Sequence, residues 1–404
     1  MNNIKAFIPF LFIATGAFLL TPAFAEDVID IGAINRDNAE QILPIEIQSN
    51  DAQLDSLLRM AFSTHGGYAL VASGKSAFTF IFERIGQDAV KVTVESGNPK
   101  QTLYSQEFNA KNWRQAALAA ADNVVEKTLG IPGYFSGKIA FVGERNGVTE
   151  IYTGDLFFQN IKQLTKDRAE VSFPRFSPNG RQLIFTSYYK SGFPDIFLVD
   201  LVTGERKPFA TYEGTNTGAA FSPDGKSVAM ILSSSGNPEL YISDNKGNAP
   251  RRITNTKDLE ASPTWSPRGD QIILTSDPLG SPQLYRVSLF DGNMTRIQTN
   301  ISRYCAEPIW NPIKKDLIAF TTAIFKSFQT AVHDLSKGQT TVITKGKDDF
   351  IEPYWLNDGR HLLVTRRAGS IMELNILDSQ TGKLTKLHPR DFGNARMGSY
   401  TLAL

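Results

Sequence analysis

The sequence predicts a small α+β N-terminal domain followed by an all-β six-bladed β-propeller, and three features carry that prediction. A Ser-Pro-x-Gly turn recurs at Ser177, Ser222 and Ser266 and continues in degenerate form at Asn311 and Leu356, at spacings of 45, 44, 45 and 45 residues. A β-type apolar run follows each turn, as in Leu183-Ile-Phe-Thr, Val228-Ala-Met-Ile and Ile272-Ile-Leu-Thr. Helical spacing of apolar residues is confined to the chain before residue 130. A four-stranded unit of about 40–45 residues cannot cover both faces of its own sheet, but neighbours in a ring can.

The elements follow in chain order. Lys5 is the only charged side chain before Glu26, residues 6–20 are largely apolar, and Ala23-Phe24-Ala25 closes the stretch. That layout is a secretory signal peptide, so residues 1–25 are expected to be removed, leaving a mature chain from Glu26 with zero net charge. The apolar stretch is short for a bilayer span and contains Pro9, Thr15 and Gly16. Residues 26–130 form the expected α+β domain, with strands at 28–34, 42–47, 78–82, 90–94 and 102–108. One helix is expected at 52–62, where Leu54, Leu57, Leu58 and Ala61 share a face. A second runs over 113–128, capped by Asn112 and ended by Gly130 and Pro132.

Residues 131–137 are the linker and 138–404 the propeller. Most periods continue with a second run opened by a polar residue, Glu150, Asp195, Glu239 or Gln283. A third ends near Leu164, Phe209, Ile253, Ile297, Ile343 and Leu387, and a fourth precedes the next turn, as in Pro263-Thr-Trp. The tail at Tyr400 stands one period after Trp355 and is expected to close the ring against the first blade. A β-sandwich or an open solenoid is the competing architecture; six near-equal periods favour the propeller. The aromatics Phe176, Phe221, Trp265, Trp310 and Trp355 recur at the same period and are expected to fill the seams between blades.

Composition narrows the function. Lys+Arg minus Asp+Glu is 42 − 41 = +1, without the concentrated basic excess of a nucleic-acid surface. A single cysteine, Cys305, excludes an internal disulfide or a multi-thiolate metal site and is expected to be buried. Gly74-Lys75-Ser76 has Ala69 where a P-loop needs glycine, and no Gly-x-Ser-x-Gly elbow occurs. His65, His333, His361 and His388 are scattered through the sequence. No catalytic, cofactor-binding or metal-binding residue is therefore expected, and the chain reads as a binding protein. The alternative is a propeller enzyme acting on cell-wall or carbohydrate polymers, which would need a histidine–carboxylate cluster at the channel mouth.

Acidic residues recur before the turns at Glu170, Glu260, Glu307 and Glu352. Glu307 and Glu352 are one full period apart and should occupy equivalent places in adjacent blades. Two readings stand. The carboxylates are either solvated or bonded to a neighbouring blade, or they make an acidic mouth that receives a basic segment of a partner and sets its on-rate.

The α+β domain followed by Pro174-Arg-Phe-Ser-Pro-Asn-Gly, Ala219-Ala-Phe-Ser-Pro-Asp-Gly and Pro263-Thr-Trp-Ser-Pro-Arg-Gly resembles the TolB family, across essentially the whole mature chain. These are periplasmic proteins of the Tol-Pal system in Gram-negative bacteria. The resemblance implies a non-enzymatic scaffold whose propeller docks the Pal lipoprotein at one end of the ring. It also implies an amino-terminal strand that engages TolA of the inner membrane, other outer-membrane or peptidoglycan-associated proteins as further partners, and a role in outer-membrane integrity and invagination at division. The family's contact loops fall on Thr215, Asn216, Thr217 and Gly218, where the family has His-Asn-Gly-Ala, and on Glu260, Ala261 and Ser262. Glu307 and Glu352 complete the expected mouth. Asp27, Val28, Ile29, Asp30 and Ile31 would either add as a strand to a partner's sheet edge or pair within their own domain.

Overall fold

The computed structural model describes residues 42–190, 192–389 and 391–402. The expected signal peptide, and the strand holding Asp27, Val28, Ile29, Asp30 and Ile31, lie outside the described residues. The first part runs β1 (Leu43–Ser49), α1 (Ala52–Thr64), β2 (Tyr68–Leu70), β3 (Phe78–Arg84), β4 (Ala89–Ser96), β5 (Gln101–Asn109) and α2 (Trp113–Leu129). Its sheet has the order β2-β1-β3-β4-β5. Asp51 accepts from the Gln53 and Leu54 amides to start α1, and Asn112 accepts from Gln115 N to start α2. Gly130 ends α2 in the left-handed region at φ 67°.

Both helices pack on this sheet. Leu54, Leu57, Leu58, Ala61 and Phe62 of α1 are buried, as are Ala116, Ala117, Ala120, Ala121 and Val124 of α2. The alanine stripe brings α2 close to β4. Strand β2 was not anticipated, because three residues after Gly66-Gly67 are too few to show alternation.

Six four-stranded sheets follow. Blade 1 combines the carboxy-terminal strand Asn394–Thr401 with Lys138–Arg145, Val148–Asp155 and Lys162–Gln163. Blades 2 to 6 open with inner strands Val171–Phe176, Asn216–Phe221, Glu260–Trp265, Cys305–Trp310 and Asp349–Trp355. The tail thus closes the ring as its period predicts, with Tyr400 opposite Ile139 and Thr401 opposite Lys138. The sequence repeat and the blade are out of phase by one strand. Each turn-to-turn period supplies three outer strands of one blade and the inner strand of the next.

Side chains at the phase boundary join the blades. Trp265 Nε1 donates to Ala220 O (3.0 Å) and Trp355 Nε1 to Ile309 O (3.1 Å), each across a seam. Polar residues at or near the start of the third strand in blades 1, 3 and 4 are buried and hold the connection to the next blade. Glu150 accepts from Thr165 and from Arg168 N, Glu239 accepts from Arg252 and Thr256 N, and Gln283 Nε2 donates to Arg303 O. Cys305 is buried, as expected of a lone thiol.

The α/β layer is not a separate body. Its apolar core is continuous with blades 1 and 6 through Tyr134, Phe135, Ile139, Phe141, Leu356 and Leu363. It sits on the ring face that carries the Ser-Pro turns, where Asn357 Nδ2 donates to Gly133 O (2.9 Å). Strand starts and the opposite loops make the other face, which the α/β layer leaves free.

Candidate functional site

The six inner strands line a central channel, and each carries one break in register. At each break one residue adopts positive φ: Phe173 (52°), Gly218 (65°), Ser262 (51°), Glu307 (55°), Glu352 (56°) and Met397 (53°). These six stand one blade apart and form a ring. Proline follows at 174, 263, 308 and 353, which suits a bulge because no ladder donor is needed there. Left-handed backbone costs a non-glycine residue about 1–2 kcal/mol, so five such residues must be held by the surrounding bonds.

Hydrogen bonds running from blade to blade supply that hold. Glu307 N donates to Thr275 Oγ1 of the preceding blade (3.2 Å). Glu352 N donates to Glu307 Oε2 (3.0 Å), which also accepts from Thr321 (2.7 Å). Met397 N donates to Glu352 Oε2 (2.9 Å), which also accepts from Thr365 (2.7 Å). Glu307 and Glu352 are therefore equivalent, as the period indicates, and each carboxylate ties its blade to the next.

On the Ser-Pro-turn side of this ring lies a cavity of about 310 Å³, lined among others by Arg175, Trp265, Glu307, Trp310, Glu352 and Tyr354. The Arg175 guanidinium lies 4.9 Å over the Tyr354 ring, and Nη1 donates to Pro174 O (3.1 Å). Burial lowers the Arg175 pKa, against the opposing pull of Tyr354, Glu352 and Glu307. Burial, reinforced by repulsion from Glu307, pushes the Glu352 carboxyl up to about 7. Between its ordinary 4.5 and about 7 the folded chain keeps a proton that the unfolded chain loses. Stability from this site accordingly declines as pH rises through that window. Glu352→Gln is expected to remove the decline, closing the gap between unfolding free energies at pH 5 and pH 8 by roughly 1–3 kcal/mol. A gap unchanged by the substitution would place the proton elsewhere.

The remaining expected mouth residues are distributed differently. Only Thr215 precedes a strand; Asn216, Thr217, Gly218, Glu260, Ala261 and Ser262 lie within the inner strands rather than in loops before them. Asn216 is fully buried, accepting from Tyr212 N (2.9 Å) and donating to Tyr212 O (2.7 Å). Glu260 is buried as well, accepting from Leu240 N (3.0 Å) and Thr254 Oγ1 (2.6 Å). Both face away from the channel because they occupy the first strand position, two residues before the bulge. Thr217 meets Thr186 across a seam (3.3 Å), while Gly218 and Ser262 belong to the bulge ring. Glu170 is exposed ahead of blade 2. The four recurrent acids thus do not form one ring; only Glu307 and Glu352 meet at the channel.

Sequence reasoning missed a second polar cluster. His65 and His361, 296 residues apart, bring their rings to 4.4 Å between centroids where the α/β layer meets blade 6. Asp358, Arg360 and Asp378 complete a buried group. The expectation that the histidines stay scattered is corrected here, although the cluster lies at the seam between the two parts and not at the channel mouth. Within it His361 Nδ1 faces Asp358 Oδ2 (2.5 Å), and His65 Nδ1 accepts from Gly67 N (3.1 Å).

A closed six-bladed ring with an α/β layer on its turn face and a bulge-lined channel defines a β-propeller protein of the Ser-Pro-turn kind. The family described as the TolB beta propeller domain matches residues 125–401, and the chain belongs to that family. It is 34% identical over 181 residues to the "Tol-Pal system protein TolB" of Bordetella pertussis, covering 45% of this chain and 41% of the relative. The protein of the same name from Bordetella parapertussis gives the same figures. The chain thus spans about two-fifths of the length of the curated relatives it matches. Among solved structures, TolB from Acinetobacter baumannii superposes with TM-score 0.78 at 23% identity, covering 89% of this chain and 97% of that one. A chain of the nidogen/laminin complex reaches TM-score 0.55 at 13% identity, over 66% and 99% of the two chains. These structural likenesses speak to the fold. Among the described residues no helix is long and apolar enough to cross a membrane.

Proposed function

We propose that the chain is a non-enzymatic periplasmic scaffold of the Tol-Pal system that docks the Pal lipoprotein on the free face of the propeller. It engages TolA through the segment Asp27, Val28, Ile29, Asp30 and Ile31, and so supports outer-membrane integrity and invagination at division. The observation that carries this reading is a rim of large apolar side chains on that face. Tyr189, Leu259, Leu279, Phe325 and Ile371 are each more than half exposed, and Tyr212 is 40% exposed. They come from the loops and connections of blades 2 to 6, all at the strand-start end of the channel. An apolar rim around a channel mouth is the composition of a protein-binding surface, and the Bordetella relatives carry the Tol-Pal name. Glu307, beside Glu352, stands deeper in the same channel, where a carboxylate favours a basic segment of the partner.

Isothermal titration of the mature chain with the periplasmic domain of its cognate Pal tests the reading. Tight one-to-one binding is expected, weakened about 100-fold by Leu279→Asp with Phe325→Asp while the melting temperature stays unchanged. Undiminished affinity in that variant would move the site off this face. Absence of binding at high micromolar concentration would overturn the Pal assignment. In the TolA arm of the same titration, deletion of residues 26–35 is expected to abolish binding without lowering the melting temperature.

A further inference from the structure

His361 Nε2 stands between two mutually exclusive partners. Gly66 N, at the end of α1 in the α/β layer, lies 3.2 Å away and needs the lone pair of a neutral ring. Asp378 Oδ2, in blade 6 beside His361, lies 3.3 Å away and needs a proton on that same nitrogen. The other ring nitrogen does not change partner, because Asp358 Oδ2 holds Nδ1 at 2.5 Å while Asp358 Oδ1 accepts the Arg360 and His361 amides. We propose that His361 is a proton-operated latch between the α/β layer and blade 6, closed on Gly66 when neutral and turned to Asp378 when protonated.

The surroundings make the choice binary. His361, His65 and Asp378 are fully buried, so water cannot take the place of a lost partner. Gly66 is packed so closely that a Cβ there would fall 1.8 Å from Asp378 Oδ2. The charged and titratable groups facing the ring are Asp358 and Arg360 from its own turn, and Asp378 and Lys383 from the neighbouring turn. The α/β layer and the linker contribute His65, Tyr68 and Tyr134, and Asp122 of α2 faces Asp358. Arg360 already donates to Asp378 Oδ2 from Nε (3.0 Å) and Nη2 (2.8 Å), which keeps that carboxylate ionised and ready to accept. His65 stays neutral, since burial and its cationic neighbours hold its pKa well below the usual value. Its Nε2 has no hydrogen-bond partner among the described residues. Burial works against a charged His361, but Asp358 and Asp378 outweigh it and raise the pKa above 6.5, so the exchange of partners falls above that pH.

Protonation breaks the one hydrogen bond that, among the described residues, joins His361 to the α/β layer, and it leaves the Gly66 amide without an acceptor. The contact at β2 therefore loosens as pH falls, while the apolar core shared by the two parts keeps the layer attached. Amide hydrogen exchange of the full mature chain, corrected for intrinsic pH dependence, reads this directly. Opening at residues 66–70 is expected to rise about tenfold from pH 9 to pH 6, the effect of one unit of pKa difference between open and closed forms. In His361→Gln, whose amide stays neutral throughout, opening is expected to be flat across this range. PH-independent opening in the wild type, or a retained tenfold rise in His361→Gln, would overturn the latch. Nitrogen-15 imidazole shifts of the unmutated chain give a second measurement. A neutral ring with the proton on Nδ1 is expected at pH 9, and a ring that remains doubly protonated there would overturn the proposal. Stabilisation by added Zn²⁺ that disappears in His65→Ala would overturn it in favour of a metal site.

Discussion

Removing residues 394–404 is expected to abolish the single cooperative unfolding transition of the chain. The strand Asn394–Thr401 is the inner strand of blade 1, and it pairs with Lys138–Arg145 from Asn394 opposite Glu144 to Thr401 opposite Lys138. It also carries the Met397 amide to Glu352 and the Tyr400 hydroxyl to Tyr134 O (2.8 Å). Without it the inner edge of Lys138–Arg145 is left unpaired, and blades 1 and 6 lose the wall between them. The expected loss is about 5 kcal/mol or more, comparable with the whole net stability of a domain. Urea denaturation followed by fluorescence should show a broad, multiphasic transition, and size exclusion should show association through the exposed edges. A truncated chain that unfolds in one sharp transition at the wild-type midpoint would mean that closure contributes little.

The second large effect is expected at Asp122, on the face of α2 turned to the linker. Its carboxylate accepts from Phe135 N (2.6 Å), Ser136 N (2.9 Å) and Ser136 Oγ (2.5 Å), so one side chain fixes the path of the linker into blade 1. Asp122→Ala leaves three donors without an acceptor and should cost about 3 kcal/mol, lowering the melting temperature by about 6 °C or more. Asp122→Asn keeps one acceptor oxygen and should cost less. Burial pushes this carboxyl up to about 6 from its ordinary 3.8. Its contribution to stability therefore declines as pH rises between those values, and the decline should vanish in Asp122→Asn. Calorimetry at pH 4 and pH 7 checks both statements; a wild-type melting temperature in Asp122→Ala would sever α2 from the linker as a source of stability.

What the sequence discloses follows from how local each signal is. A Ser-Pro-x-Gly turn is specified within six residues: Ser177 Oγ accepts the Gln182 amide and Gly180 takes φ 66°. The blade count and the closing strand follow from the spacing of such turns. The helix caps at Asn112 and Gly130 are equally local. Periodicity also makes Glu307 and Glu352 legible as a pair, because equal spacing in a ring means equal position. It fails at Glu260 and Asn216, where a shift of two residues along a strand moves a side chain from the channel bulge to the buried strand start. It also gives no sign of His65 meeting His361, since that contact depends on where the α/β layer settles on the ring. Three-residue β2 is too short to announce itself.

The one-strand offset between repeat and blade has a consequence for how such a chain can change length. Every period of about 45 residues begins and ends on the inner side of the ring, so each copy overlaps two blades and couples them covalently. Inserting or losing one whole period leaves the first and last strands still complementary, and the ring can pass between neighbouring sizes without any change to its closing seam. A gain or loss of a few residues has no such freedom and must be absorbed in the outer loops. Evolution of ring size in this architecture is therefore quantised, whereas evolution of its binding rim is continuous.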